Sequence, residues 1–210
     1  MARKQNREER RAEIVQALLR VMAHRGYERA TVQAIAKEAG LTPGLLHYHF
    51  GSKQEILVAL VGTIAEVSEQ RLAALLAEAE GPDARLAAYL RARLGMGPGA
   101  APEIVAAWVM VGAEAVRQPE VRQVYQRVMA AELRRAETLI SEGLAASVRR
   151  TEGANAIAAG LVALMQGAFL LASAAPETLP VGYALGQARA YVDAAIAEAP
   201  MAAATSTQPS

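Results

Sequence analysis

The sequence predicts an all-α protein, and three observations support that fold class. Apolar residues recur every three or four positions in almost every segment, which is the spacing of amphipathic helices, and no segment sustains the strict alternation of a half-buried strand. Proline and glycine divide this pattern into separate helices. The chain has 210 residues, 53% of them hydrophobic, which is enough to bury a sizeable core.

Glycine delimits the first two helices. The apolar positions predict a helix over residues 9–25, which Gly26 ends. Thr31 can accept a hydrogen bond from an amide in the first turn of a second, short helix. Gly40 ends that helix, because glycine readily adopts the positive φ of a C-terminal turn.

Two further caps predict the next two helices. Thr42 and Pro43 are typical of an N-cap and a first-turn proline, which predicts a third short helix. Ser52 and Glu55 have the spacing of a capping box, in which each side chain accepts a hydrogen bond from the other residue's amide. That box begins a long fourth helix, predicted to reach about residue 79.

The C-terminal part is predicted to contain five more helices. Their expected ranges are 83–94, 102–116, 119–147, 152–174 and 180–198. The sequence thus predicts a three-helix domain over residues 1–53 that includes the start of the fourth helix, a second helical domain over 54–199, and a disordered tail over 200–210. The two short helices and their tight turn form the pattern of a helix-turn-helix.

The third helix is expected to present polar rings to solvent. On a helical wheel Leu46 and Phe50 face the core. The outward positions are Pro43, Gly44, His47 and Tyr48, with Leu45 and His49 on one flank. Rings with hydrogen-bonding tips, around a glycine that permits close approach of the backbone, suit the major groove of DNA. An exposed structural elbow is the alternative interpretation.

Metal binding and catalysis are disfavoured by the same residues. His47 and His49 diverge by about 200° on a helix, whereas chelation requires spacings of three or four. The chain has no cysteine, and no carboxylate or nucleophile accompanies the two histidines. We therefore expect no metal, no cofactor and no enzymatic activity.

Charge is distributed unevenly along the chain. Residues 1–53 carry ten Lys and Arg against five acids, while the remainder carries 12 basic and 16 acidic residues. This asymmetry indicates a basic N-terminal part that meets a polyanion, with a solvated first helix as the alternative. We find no signal-peptide core and no stretch suited to span a bilayer, so we expect a cytoplasmic protein without a membrane partner.

The N-terminal motifs together resemble the tetracycline-repressor (TetR) family of transcriptional regulators. The residues that carry the resemblance are Gly26-Tyr27, the run from Thr31 to Gly40, the run from Leu41 to Phe50, Ser52-Lys53 and Leu57. That family's recognition helix typically ends in Leu-Tyr-x-x-Phe, and here His47 stands where tyrosine is commoner.

The resemblance implies that one set of residues contacts the phosphates of double-stranded operator DNA and another set contacts its bases. Phosphates are expected to be held by Thr31, Thr42, Tyr48 and Lys53. Base edges are expected to lie under Pro43, Gly44, Leu45, His47 and His49.

Three runs in the C-terminal part, Trp108 to Val116, Pro119 to Tyr125 and Leu161 to Phe169, resemble the C-terminal domain of BetI-type regulators. This part of the chain is expected to bind a small-molecule effector of unknown identity. Adaptable apolar side chains with a few polar tips suit such a pocket, although each could simply fill the core. The candidates are Met96, Trp108, Met110, Tyr125, Met129, Met165, Gln166 and Phe169. Whether Glu114 faces this pocket or solvent is left open.

A strip of small residues in the helix at 152–174 predicts close helix packing. Its members are Ala156, Gly160, Ala163 and Gly167. The strip could receive a helix of the same subunit, but a homodimer explains its length, and the family resemblance places the dimer at the last two helices. The favoured function is a ligand-responsive repressor released from a palindromic operator. The alternative is a helical small-molecule-binding protein or enzyme with an incidental helix-turn-helix.

Overall fold

The structure, a computed structural model, describes residues 2–95 and 101–202, with side chains from residue 6 onward. The helices of these ranges are α1 (Ala2–Arg29), α2 (Val32–Glu38), α3 (Pro43–His49), α4 (Lys53–Ala77), α5 (Gly81–Leu94), α6 (Pro102–Arg117), α7 (Pro119–Ala146), α8 (Ala154–Ala174) and α9 (Tyr183–Glu198). The described part of the chain contains no strand beyond one isolated bridge. The all-α fold class is confirmed.

The chain divides into two compact units. Unit 1 comprises Met1–Gln70, Gly97–Met129 and Phe169–Pro176, and unit 2 comprises Arg71–Met96, Ala130–Ala168 and Glu177–Ser210. The two units are defined by which residues lie close together in the fold, and each combines segments that are distant in sequence. The domains expected from the sequence, with boundaries at residues 53/54 and 199/200, are continuous segments and stay predictions.

Unit 1 is organised around α1, which packs against α2, α3 and α6. The predicted caps form as expected: the amide of Ala34 donates to Thr31 Oγ1 over 3.1 Å, and the amide of Leu45 donates to Thr42 Oγ1 over 3.2 Å. Gly40 has the positive φ of 67° that its turn requires. These local contacts set the angle at which α3 leaves α2.

The end of α1 and the cap of α4 differ in detail from the prediction. Gly26 interrupts α1 with a φ of 73°, but helical residues resume and continue to Arg29. The amide of Glu55 donates to Ser52 Oγ over 3.1 Å, as a capping box requires, whereas the Glu55 carboxylate accepts from the amide of Gly51 over 2.9 Å. The return bond of the box therefore reaches one residue further back than predicted.

Unit 2 contains a buried polar network centred on Tyr89, whose side chain is fully buried. The Tyr89 hydroxyl donates to Glu132 Oε1 over 2.8 Å, and the guanidinium of Arg93 holds both oxygens of the same carboxylate at 2.7 and 2.9 Å. Burial raises the pKa of Tyr89, and the Glu132 charge raises it further. The network joins α5 to α7, and because its hydrogen bonds are satisfied it favours one arrangement of these helices.

The start of the expected tail is ordered, which corrects the prediction for residues 200–202. The amide of Arg150 donates to the Pro200 carbonyl over 2.8 Å, and the amide of Ala202 donates to the Val148 carbonyl over 3.0 Å. Backbone pairing of this kind does not depend on large side chains, so composition did not reveal it. The rest of the expected tail, 203–210, lies outside the described residues.

One helix, α8, qualifies the expectation that no segment suits a membrane span. This helix has 21 residues without a charged side chain and is long and apolar enough, by length and composition, to cross a bilayer. Alanine and glycine supply much of that apolar character, so the helix lacks the side-chain bulk of a typical hydrophobic run. Apolar helices in protein cores and interfaces share this composition, so α8 alone is weak support for a membrane span.

Candidate nucleic-acid interface and ligand-binding cluster

Most residues predicted for the DNA interface are exposed on and beside α3. Leu46 and Phe50 are buried in the core of unit 1. The exposed residues are Thr31, Thr42, Pro43, Gly44, Leu45, His47 and Tyr48. Tyr48 leaves 66% of its surface exposed, which is unusual for an aromatic ring and leaves it available to a partner. The helix therefore offers a convex surface of rings and small residues, a shape that fits a DNA groove.

His49 does not lie on this surface, so its expected place over base edges is wrong. Its side chain is only 7% exposed, and its Nδ1 atom has no hydrogen-bond partner among the described residues. Burial lowers the pKa of His49, and the charges of Arg7, Arg11 and Arg10 lower it further. The wheel gave the direction of the side chain along α3 but not the position of α1, whose Arg11 contacts the end of α3 and covers this flank.

Lys53 lies at the start of α4 with its ammonium group held against α1. Nζ donates to the Tyr27 carbonyl over 2.9 Å and lies 4.1 Å from the centre of the Tyr27 ring. Burial lowers the pKa of Lys53, while the carboxylates of Glu114 and Glu28 oppose that shift. The lysine is thus partly engaged within unit 1, and its phosphate contact stays a prediction.

Five of the predicted ligand-binding residues belong to unit 1. The rings of Trp108 on α6 and Tyr125 on α7 stack with their centroids 4.9 Å apart and an interplanar angle of 26°. The partly buried Met110, Met129 and Phe169 pack against the same hydrophobic cluster, to which the buried Trp108 itself belongs. The remaining candidates are not part of this cluster: Met165 and Gln166 belong to unit 2, and Met96 lies outside the described residues.

A polar junction at the break between α6 and α7 was not predicted. The Gln118 side chain donates to the Glu114 carboxylate over 2.7 Å. Gln54 Nε2 lies 3.0 Å from both Gln118 Oε1 and Glu120 Oε2. Glu114 is therefore half-buried, and its carboxylate accepts a hydrogen bond from the Gln118 side chain. The sequence signal available was Gln118 itself, a long polar residue directly before the proline that opens α7.

The predicted small-residue strip of α8 is divided between two environments. An added Cβ at Gly160 would come within 2.0 Å of the Tyr191 hydroxyl, so Gly160 provides room for α9 of the same chain. Ala156, Ala163 and Gly167 are exposed, and a Cβ at Gly167 would meet no atom within 4 Å. Three members of the strip are therefore available to a second chain.

Comparison with known proteins matches both halves of the sequence to bacterial regulators. Residues 14–60 match the family described as bacterial regulatory proteins, tetR family, and residues 82–197 match the BetI-type transcriptional repressor C-terminal domain. The chain is 32% identical over 186 residues to the HTH-type transcriptional regulator BetI of Rhizobium meliloti, covering 88% of each protein. It is 33% identical to the BetI of Agrobacterium fabrum, covering 83% of this chain and 81% of that protein.

Solved structures share the fold at lower identity. A transcriptional regulator from Saccharomonospora viridis in complex with choline aligns with a TM-score of 0.80 and 24% identity, over 89% of this chain and 96% of that one. A regulator from Pseudomonas aeruginosa PAO1 aligns with a TM-score of 0.80 and 21% identity, over 91% and 92% of the two chains.

Proposed function

This chain belongs to the TetR family of bacterial regulatory proteins and carries a BetI-type repressor C-terminal domain, and from that premise we propose that it binds a palindromic operator as a homodimer and leaves it when a small-molecule effector binds. It is a transcriptional regulator and not an enzyme. We place its activity in the cytoplasm, where operator DNA is accessible.

The exposed face of α3 is the observation that carries the proposal. Thr42 caps the helix, Pro43 and Gly44 leave its first turn without bulk, and the rings of His47 and Tyr48 stand exposed beyond it. A helix N-terminus of this kind can approach base edges closely, while hydroxyl and ring-tip donors reach phosphates. A purely structural role would leave the exposure of Tyr48 unexplained.

A homodimer through α8 is supported by the exposed Ala156, Ala163 and Gly167. Small side chains at three- and four-residue spacing let two helices approach closely, and a two-fold axis repeats the same surface on both subunits. Such a dimer presents two α3 helices, so its operator should have two-fold symmetry.

The effector is proposed to lie against the Trp108–Tyr125 stack, because aromatic faces bind flat apolar molecules and organic cations. Met110 and Met129, which pack against the same hydrophobic cluster as Trp108, add adaptable apolar surface. Choline, the ligand of the Saccharomonospora viridis regulator, is the first compound to test. The aromatic chemistry admits other quaternary ammonium compounds and uncharged aromatic molecules equally well.

The test of the proposal is selection of binding sites from random duplex DNA by the full-length protein. We expect the enriched sequences to share two inverted half-sites whose centres lie about 34–36 Å, or a multiple of that distance, apart. Enrichment of a motif without two-fold symmetry would contradict the palindromic operator. Failure to enrich any sequence above the starting pool would contradict operator binding itself.

A further inference from the structure

A group of arginines in the first turns of α1 lies beside the end of α3, outside the residues assigned to the interface above. The guanidinium of Arg11 donates to the carbonyl oxygen of His49, the last residue of α3. The same guanidinium lies 3.8 Å from the centre of the Phe50 ring and 3.3 Å from the Glu55 carboxylate. These contacts fix α1 against the point where α3 ends.

Arg7 and Arg10 are carried to the same place by helix geometry. Arg7 precedes Arg11 by one helical turn, so the two side chains leave α1 on one face. Both Arg7 and Arg10 are exposed. Arg7 forms no ion pair with any residue that the structure describes, and the exposed pair of Arg10 with Glu13 can be exchanged for another anion at little cost.

The histidine at the end of α3 lies within reach of the charges of these arginines. Burial is the largest cause that lowers the pKa of His49, and Arg7, Arg11 and Arg10 each lower it further. All three guanidinium groups are therefore close enough to act on a side chain of the helix whose exposed face forms the candidate DNA interface.

Arginine suits an exposed phosphate contact, because its charge is permanent and its N–H donors lie in one plane. The planar guanidinium fork matches a phosphate better than any other protein cation.

We propose that Arg7 and Arg10 form an additional DNA-backbone contact, in which their side chains bind phosphates flanking the groove that receives α3. The contact rests on the proposed function, because it extends the same DNA-binding surface. It assigns α1 a direct role in affinity, whereas Arg11 positions α1 and is not itself a phosphate ligand. Phosphate contacts carry no sequence information, so the contribution is the same on every duplex.

The experiment is the salt dependence of binding to a labelled duplex of mixed sequence, about 30 base pairs long and followed by fluorescence anisotropy of the full-length protein. Each phosphate contact contributes about 0.9 to the slope of log affinity against log salt concentration. Arg7→Gln and Arg10→Gln should each reduce the slope by that amount, so that the affinity lost between about 50 and 200 mM salt becomes roughly 3.5-fold smaller per substitution.

The matched control is Arg134→Gln, an exposed arginine of unit 2. It should leave the slope unchanged, and circular dichroism should show all three variants folded. If Arg7→Gln, Arg10→Gln and the double variant keep the wild-type slope, the α1 contact is overturned while the proposed function stands. If the wild-type protein shows no salt-dependent binding to any duplex, both are overturned.

Discussion

Gln54, in the first turn of α4, donates from its side-chain nitrogen to the side-chain oxygen of Gln118, at the break between α6 and α7, over 3.0 Å. The same nitrogen also donates to Glu120, and Gln118 in turn donates to Glu114. Gln54 directly follows Lys53, which touches the end of α1. The helices that carry the Trp108–Tyr125 stack are thus hydrogen-bonded to the start of α4, within a single compact unit.

This junction predicts that Gln118→Ala weakens the coupling between effector and DNA. An effector that shifts α6 or α7 must move Gln118, and through it Gln54 and the residues beside α3. Typical couplings change affinity about 5- to 150-fold, and the variant should fall below the lower end of that range. DNA titrations with and without choline, or with whichever compound a screen identifies, measure the ratio.

The matched control for that experiment is Gln126→Ala, which removes an exposed glutamine of α7 in the same unit. It should retain the wild-type ratio. Both variants should bind DNA normally in the absence of effector, since neither residue lies on the α3 surface. Full coupling in Gln118→Ala would show that the signal passes elsewhere.

The dimer is tested by Gly167→Leu. Among the described residues, no atom lies within 4 Å of a Cβ at Gly167, and the position is exposed, so we expect a leucine there to obstruct a second chain. Overpacking typically costs about 1–3 kcal/mol and acts twice at a two-fold axis. Sedimentation velocity at low micromolar concentration should show dissociation to monomers. Gly160→Leu would be a poor test, because it would clash with Tyr191 of its own chain.

Gly62→Leu is the matched control for the dimer, since Gly62 is an exposed helical glycine that likewise has no neighbour within 4 Å. Both leucines improve helix propensity by a similar amount, roughly 1 kcal/mol. A difference between the two variants therefore reports the interface. If Gly167→Leu sediments as the control does, α8 is not the dimer surface.

The features that sequence predicted well are those set by neighbouring residues. The caps at Thr31 and Thr42 and the positive φ of Gly40 each depend on a few adjacent positions, and the structure contains all three. The contact of Arg11 with His49 spans 38 positions, and that of Gln54 with Gln118 spans 64. Such contacts depend on how helices pack, which periodicity does not encode.

Local patterns also fail where a distant element covers a surface. A helical wheel describes α3 alone, and it therefore assigned His49 to an exposed flank that α1 covers. The small-residue strip shows a related limit. Its spacing indicated close packing correctly, but spacing alone cannot distinguish Gly160, which faces α9 of the same chain, from Gly167, which is exposed.

The buried His49 predicts a stability that depends on pH. Because its pKa in the folded protein is below the ordinary 6.5, the unfolded chain takes up the proton first as pH falls. The stabilisation is complete above 6.5 and is lost as pH falls toward the folded-state pKa. Urea denaturation of the wild-type protein should show the free energy of unfolding decreasing from pH 6.5 to about pH 5, above the range of most carboxylates.

His49→Leu should flatten that decrease, because it removes both the titrating ring and the unpaired Nδ1 atom. His47→Leu provides the comparison, since His47 is exposed on the same helix. Equal pH profiles for wild type and His49→Leu would show that the buried ring does not titrate in this window.

Lys53→Ala separates a structural from a phosphate-binding role. If Nζ binds a phosphate, the variant should weaken all duplexes equally and lower the salt slope by about one unit. If Nζ serves only the Tyr27 carbonyl, the melting temperature should fall while the slope stays unchanged. A phosphate-binding role of Lys53 is therefore seen in the salt slope, and a purely structural role is seen in the melting temperature alone.

The last prediction concerns Trp108, the only tryptophan of the chain and hence a specific fluorescent probe. A compound that binds against the stack should quench or shift its emission, and DNA should be released over the same concentration range. By reciprocity, saturating operator DNA should weaken the binding of that compound by the same factor. Choline is titrated first, then larger quaternary ammonium and uncharged aromatic compounds.

Substitution then tests whether the stack is the sensor. Trp108 is only 9% exposed, and replacing a buried tryptophan by alanine commonly costs about 3–5 kcal/mol, so Trp108→Ala requires a stability measurement. Trp108→Phe preserves an aromatic face with less loss of packing. We expect both variants to bind operator DNA, Trp108→Ala to lose most of the effector response, and Trp108→Phe to keep part of it. A folded Trp108→Ala variant that responds normally would place the effector away from the stack, even though the protein remains a DNA-binding regulator.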